Sequence, residues 1–289
     1  PDATVARTYD PRGRLLRVED SAGGAFSYDY DLVGALLQAI EPTGAIDYTR
    51  DALSLVSRRQ VVGQPALDLT YDPAGNLLSA ALPPASVTFT YDKRDQLVRQ
   101  TRSNGVVTDS TYDALGRVLS LIDSNGAQTI NTQTYTYDAA GQRTSYSSAI
   151  SQPLATQASI NTIDPQSDRL LRRGAVTYTY DEEGNRITET GPAGTTTYAW
   201  DARGRLRSIT FPDVSTATFQ YDWAGNLIQK TVAGATESYV LDAITNIAYQ
   251  ANSAGLRLSV LTGPGVDQHL GVVKEDGSFE LGLPNAINS

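Results

Sequence analysis

A chain of 289 residues with 40% apolar content is long enough to bury a large core, as one elongated body or two domains. It holds no cysteine, no methionine and one histidine, which excludes a disulfide framework, a thiol nucleophile and a cysteine-based metal site. A net charge of −9 argues against nucleic acid and against an anionic membrane surface, and no run approaches the roughly 20 apolar residues of a membrane span.

Taken from the N-terminus, the chain repeats one short word: tyrosine and aspartate, two free positions, then glycine. It appears as Tyr9-Asp10…Gly13 and again as Tyr30-Asp31…Gly34. Arg50-Asp51 is a worn copy with Ser54 in the glycine slot. Tyr71-Asp72…Gly75, Tyr91-Asp92 and Tyr112-Asp113…Gly116 follow at gaps of 20–21 residues, and Tyr137-Asp138…Gly141 comes 25 later. Inside the next gap of 43 residues lies another worn copy, Ile163-Asp164 with Asp168 in the glycine slot. Tyr180-Asp181…Gly184, Trp200-Asp201…Gly204, Tyr221-Asp222…Gly225 and the worn Leu241-Asp242 complete twelve copies, nine of them clear. A period near 20 residues marks a repeat architecture, and it governs the fold more than any single residue does.

Residues 176–184, VTYTYDEEG, show the local physics. Tyr178 and Tyr180 sit two apart, so both rings leave one side of a β-strand. The aspartate accepts from main-chain N–H groups just beyond it, and glycine takes φ > 0 without steric cost. A second turn lies midway through each unit: Ala22-Gly23-Gly24, Thr43-Gly44, Asn104-Gly105, Asn125-Gly126, Ala193-Gly194, Ala233-Gly234 and Ala254-Gly255, with Pro83-Pro84 and Pro212-Asp213 in two others. Each unit therefore reads as strand, turn, strand, turn, with strands of about 6–8 residues. Glycine and proline punctuate the chain too often for helices of the usual ~11 residues. An aromatic/polar alternation precedes each aspartate, as in Phe89-Thr90-Tyr91, and an aliphatic pair such as Leu15-Leu16, Leu77-Leu78 or Leu227-Ile228 follows each glycine. One hairpin alone is marginal. Stacked units bury those faces and pair the open edges, which predicts an elongated sheet curled by its own twist. The exception is residues 146–169, where SSAISQPLATQASINT carries no charge and no turn glycine; a worn unit with an extended polar loop is expected there.

The tandem Tyr-Asp-x-x-Gly-x-Leu resembles the YD, or Rhs, repeat family, which includes bacterial Rhs and wall-associated polymorphic toxins, the shell subunits of insecticidal toxin complexes and the animal teneurins. The resemblance runs from Tyr9 to Asp242 at least. Beyond it, residues 256–289, with LTGPGVDQHL at 261–270 and EDGSF at 275–279, are similar to the approach to the end of a bacterial Rhs core. The resemblance implies an all-β fold of tandem hairpins forming a spiralling sheet or part of a hollow β-shell, here one repeat region over 1–289. It also implies a structural, non-enzymatic scaffold in a secreted or cell-surface bacterial protein. Its partner would be the remainder of the same polypeptide, an enclosed C-terminal toxin domain, or a delivery-system protein. Family members carry a core-terminating region, often with aspartyl self-cleavage, and then a toxin; this chain shows no sign of either, so neither activity is assigned to it. The missing methionine at residue 1 reads as an excised piece of something longer.

Chemistry outside the repeat is sparse. The motif acids Asp10, Asp31, Asp72, Asp92, Asp113, Asp138, Asp181, Asp201 and Asp222 recur at one repeat position, so they read as turn-formers and not as acid/base groups or calcium ligands, which would have to converge on one point. His269 has Ser259, Thr262 and Asp267 nearby in sequence but no nucleophile motif, and reads as a surface residue. No metal and no cofactor is expected. Trp223 differs from the other aromatics: it fills a free turn position, where a large ring is either exposed or docked on a neighbour. It is the candidate binding residue, and with it goes the alternative function, an extracellular adhesion or carbohydrate-binding module built on exposed aromatics.

Overall fold

The computed structural model describes residues 4–150, 160–265 and 268–282. Among them every regular element is a β-strand. Fourteen strands, from Val5–Tyr9 to Arg143–Ser148, form one sheet, and thirteen, from Asn161–Ile163 to Phe279–Leu281, form a second. In both, each strand is hydrogen-bonded to the next one in the chain, and every pairing is antiparallel. The all-β hairpin architecture expected from the repeat is therefore present, with the ladder divided between two sheets. The division falls within 146–169; residues 151–159 of that stretch lie outside the described residues.

The motif writes the same turn each time. At Tyr71-Asp72, the Asp72 N–H donates to the Asn76 carbonyl at 3.0 Å and the Gly75 N–H donates to the Asp72 carbonyl at 3.0 Å, with Gly75 at φ 89°. This is a three-residue hairpin connection, a tight turn closed by a left-handed residue. Copies without glycine keep the conformation: Ser54, Asp95 and Thr245 take φ of 64°, 58° and 70°. Thr245 is the strained case, because a β-branched residue crowds its own backbone there. In the worn copy at Asp164 the loop is one residue longer, with Asp168 at φ 54°.

A second irregularity accompanies the turn. Tyr71 pairs with Leu77, but Thr70 pairs with Ser79, so Leu78 is an extra residue in the ladder. The same slip recurs beside Tyr9, Tyr30, Tyr112, Tyr137, Tyr180, Trp200 and Tyr221. Each is a β-bulge, which sharpens the local twist of the strip. The aliphatic pair after each glycine is thus split. Leu77 is buried, while Leu78, like Leu16, Leu37 and Leu119, is more than one-third exposed.

A sheet one strand-layer thick has little interior of its own. The core forms where the second sheet comes back over the first. Phe26 and Val18 pack on Ile228, Tyr239 and Leu241; Ile46 and Val61 pack on Val240, Ala248 and Tyr249. The largest cluster joins Leu67, Leu69, Leu82, Val87 and Phe89 to Leu261, Leu270 and Val273. Burial of each such side chain stabilises by about 1.5–3 kcal/mol.

Candidate functional site

Two arrangements carry the polar chemistry of the chain: a staple that recurs along the repeat, and a seam where the two sheets meet.

The staple is built on the motif aspartate. Asp113 Oδ1 accepts from the main-chain N–H groups of Leu115 and Arg117 at 2.9 and 3.0 Å, and Asp72 does the same with Ala74 and Asn76. The second oxygen takes a side chain four residues on. Arg14, Arg117 and Arg205 Nε donate to Asp10, Asp113 and Asp201 at 2.6, 2.6 and 2.7 Å, and Asn76, Asn185 and Asn226 serve Asp72, Asp181 and Asp222. These donors hold the carboxyls of Asp10, Asp72, Asp113, Asp181 and Asp201 below their ordinary range, chiefly through the Arg117 main-chain bond at Asp113 and the Asn76 side chain at Asp72. The arginine then reaches the next unit. Nη1 of Arg14, Arg117 and Arg205 donates to the carbonyls of Asp31, Asp138 and Asp222, and each guanidinium lies 4.7–5.0 Å from the next motif ring, Tyr30, Tyr137 or Tyr221.

The motif tyrosine closes the staple from the other side. Its hydroxyl donates backward to the carbonyl of the aliphatic residue just before the extra one in the preceding unit: Tyr30 to Leu15, Tyr71 to Val56, Tyr91 to Leu77, Tyr112 to Leu97, Tyr137 to Val118, Tyr180 to Leu170 and Tyr221 to Leu206, at 2.7–3.1 Å. At Trp200 the indole Nε1–H makes the equivalent bond to Arg186 at 2.9 Å. The bulge disturbs the ladder at this carbonyl, and the ring hydroxyl supplies its donor. The acids bond locally and do not converge; among the described residues no group of three or more potential ligands is placed to hold a metal. The arginine or asparagine one position after the glycine was not part of the motif as read from sequence, although its recurrence at Arg14, Asn76, Arg117, Asn185, Arg205 and Asn226 was visible there.

The seam brings motif turns of the second sheet onto strands and mid-unit turns of the first. Arg203 Nη1 donates to Asp20 Oδ2 at 2.9 Å, and the buried Arg59 pairs with the buried Asp242; both pairs are separated by 183 residues. The Ala243 N–H donates to the Tyr48 hydroxyl at 2.8 Å, and Trp223 Nε1–H donates to the Tyr28 hydroxyl at 2.9 Å; both are separated by 195. Trp223 is half-buried in the seam, with the Arg7 guanidinium 5.2 Å from its ring. Mid-unit glycines permit the approach: a Cβ on Gly23 would stand 2.6 Å from the Tyr221 carbonyl oxygen, and one on Gly44 2.8 Å from a Val240 methyl. His269 is exposed, whereas Ser259 and Thr262 are buried; Asp267 lies outside the described residues.

A family model described as teneurin YD-shell matches the chain twice, over residues 2–130 and 108–238. No curated protein matches it by sequence. Among solved structures, the crystal structure of TcdB2-TccC3-Cdc42 is similar over 99% of this chain and 20% of its own, with a TM-score of 0.67 at 15% identity. A Photorhabdus luminescens Tc holotoxin pore is similar over 97% of this chain and 19% of its own, with a TM-score of 0.64 at 16% identity. The likeness is one of fold, and the chain spans about a fifth of the length of those structures.

Proposed function

Since the chain belongs to the teneurin YD-shell family, we propose that it is a non-enzymatic wall segment of a β-shell, in a secreted or cell-surface protein, that encloses another polypeptide. The observation that carries this reading is the constant offset across the seam. Two contacts of one kind lie 183 residues apart and two of another lie 195 apart. A strip that meets itself at a fixed interval is winding at a fixed pitch, here about nine units of 20–21 residues per turn. The tyrosine and arginine bonds tie successive units together, and the seam joins one turn of the strip to the one before it. That is a construction for enclosing volume. The solved relatives belong to toxin assemblies, TcdB2-TccC3 and a Tc holotoxin, which supports an enclosed or attached polypeptide as the partner. The partner of this chain would be the remainder of its own polypeptide or a protein that delivers it.

The test uses the native polypeptide that contains these residues. Electron microscopy is expected to show a hollow particle, and limited proteolysis to spare an internal segment that Phe26→Asp, which puts a charge into the seam, renders cleavable. A solid particle, or equal cleavage with and without the seam substitution, would overturn the reading.

A further inference from the structure

Two mid-unit turns of the first sheet carry the same tripeptide, Ser103-Asn104-Gly105 and Ser124-Asn125-Gly126. In an Asn-Gly pair the glycine nitrogen can attack the asparagine side-chain carbonyl carbon, because glycine has no Cβ to obstruct the approach. In a folded chain the attack depends on how firmly that nitrogen and that side chain are held. At the first turn both are held. The Gly105 N–H donates to the Arg102 carbonyl at 2.9 Å, and Asn104 Oδ1 accepts from the Val106 N–H at 3.2 Å. At the second turn, among the described residues, neither the Gly126 N–H nor the Asn125 side chain has a hydrogen-bond partner. The hairpin that carries this turn also stands clear of its neighbours. Its strands, Val118–Asn125 and Gln128–Tyr137, have 8 and 10 residues against 7 and 6 in the strands on either side. The second of them pairs with Arg143–Ser148 only from Gln133 onward. Asp123 pairs with Asn131 but Ser124 with Thr129, so Ile130 is an extra residue that interrupts the ladder near the tip. Residues 125–130 are all exposed, and nothing stands within 4 Å of the place a Cβ on Gly126 would occupy.

We propose that Asn125-Gly126 is a self-modification site, at which the folded chain converts its own asparagine to isoaspartate and aspartate with water as the only co-reactant. The Gly126 nitrogen gives its proton to solvent base and bonds to Asn125 Cγ. The bond from Cγ to the side-chain nitrogen breaks, and that nitrogen leaves as ammonia with a proton from solvent. The product is a five-membered succinimide. Water then adds to one of its two carbonyls. Breaking the new bond between Cγ and nitrogen gives aspartate, whereas breaking the original peptide bond leaves the chain running through the side chain as isoaspartate. One water is consumed and one ammonia released, with no change of oxidation state. Isoaspartate adds a main-chain atom to a two-residue hairpin loop whose length sets the register, so the Asn125–Gln128 and Ser124–Thr129 pairs are the first to be lost. The modification also puts a negative charge beside the neighbouring turn, since the Asn125 side chain lies 3.1 Å from where a Cβ on Gly105 would stand.

The full 289-residue chain is incubated at pH 8, folded or in concentrated urea, and digested with trypsin, which separates the two sites onto peptides 103–117 and 118–143. Mass spectrometry follows the gain of about one mass unit at each asparagine, and methylation by an isoaspartyl methyltransferase identifies isoaspartate. In the folded chain Asn125 is expected to convert about fivefold faster than Asn104 or more, the factor that one main-chain hydrogen bond is worth. Both isoaspartate and aspartate are expected at Asn125, as a succinimide requires. In urea the two rates should converge, because the tripeptides are identical. Asn125→Gln, which would have to close a six-membered ring, should leave peptide 118–143 unmodified at that position and the rate at Asn104 unchanged. Equal rates in the folded chain, a faster Asn104, or aspartate without isoaspartate would overturn the site. So would a difference that persists in urea, which would trace it to Val106 and Ala127 after the glycines and not to the fold.

Discussion

Strands from Arg143–Ser148 to Leu206–Thr210 and strands from Leu15–Asp20 to Ala85–Tyr91 are made from the same word, yet they are stabilised differently. The first group contains no fully buried residue among those described, while the second supplies Val18, Phe26, Ile46, Leu82 and Val87, each less than one-tenth exposed. Both groups keep the staple: Tyr180 and Trp200 cap the preceding bulge just as Tyr30 and Tyr71 do. What differs is the filling between. The uncovered strands carry threonine, as in GTTTYAW, and tie it sideways through Thr179–Thr188 and Thr190–Thr195 hydroxyl pairs. The covered strands carry ASVTFTY or LLSAAL, whose side chains meet the returning sheet. Main-chain pairing and staples are thus sufficient to shape a hairpin, whereas the three clusters of buried apolar side chains lie at the seam.

That contrast breaks if the two groups respond alike to truncation. Phe26→Ala should cost about 4 kcal/mol by urea unfolding, because it opens a cavity between the sheets, while Tyr178→Ala, on an uncovered strand, should cost about 1 kcal/mol. Equal losses would mean that the uncovered strands are packed after all.

Next in size is the buried pair. Arg59→Met leaves Asp242 charged and unpaired inside the seam, at an expected cost of about 3 kcal/mol, and adding Asp242→Asn should restore most of it while keeping the turn acceptor. A double variant as unstable as the single one would show that the arginine acts through packing instead of charge.

The pH dependence sharpens the comparison further. Glu41 has a folded value of about 7, above its ordinary carboxyl value, so the folded state holds its proton longer than the unfolded chain does. Seam stability is then full below the ordinary carboxyl value of 4.5 and declines as pH rises from there to about 7, by up to about 3 kcal/mol. Glu41→Gln should abolish this decline. The motif carboxyls Asp72, Asp113 and Asp181 are depressed, so their contribution is present at neutral pH and is lost as pH falls below the ordinary carboxylate range. Unfolding midpoints measured from pH 3 to pH 8 should show the acid loss in both groups of strands and the loss toward neutral pH at the seam alone.

The smallest effect should be the most uniform. Tyr71→Phe and Tyr180→Phe each remove one hydroxyl from a bulge carbonyl and should each cost about 1 kcal/mol. A marked difference between them would mean that the staple is not the same device in covered and uncovered strands.

Much of this was legible in the residues. The beat of Tyr-Asp-x-x-Gly, the turn acids and the midway glycines place the hairpins because turn chemistry and strand alternation are local properties, settled within about ten residues of chain. The bulge behind Leu78 and the arginine reach of Arg117 into the next unit were written there too, as a doubled aliphatic and a recurring donor, but their meaning needs the ladder register. Nothing in the repeat announces that Asp20 meets Arg203, that Tyr28 meets Trp223, or that Glu41 shares a cavity with Asp222 and Asp242. The order and shape of each hairpin were determined by the sequence alone. Which hairpins are covered was decided by the tertiary structure, since the twist added at every bulge accumulates along the whole strip and only the sum brings residues 183 apart into contact.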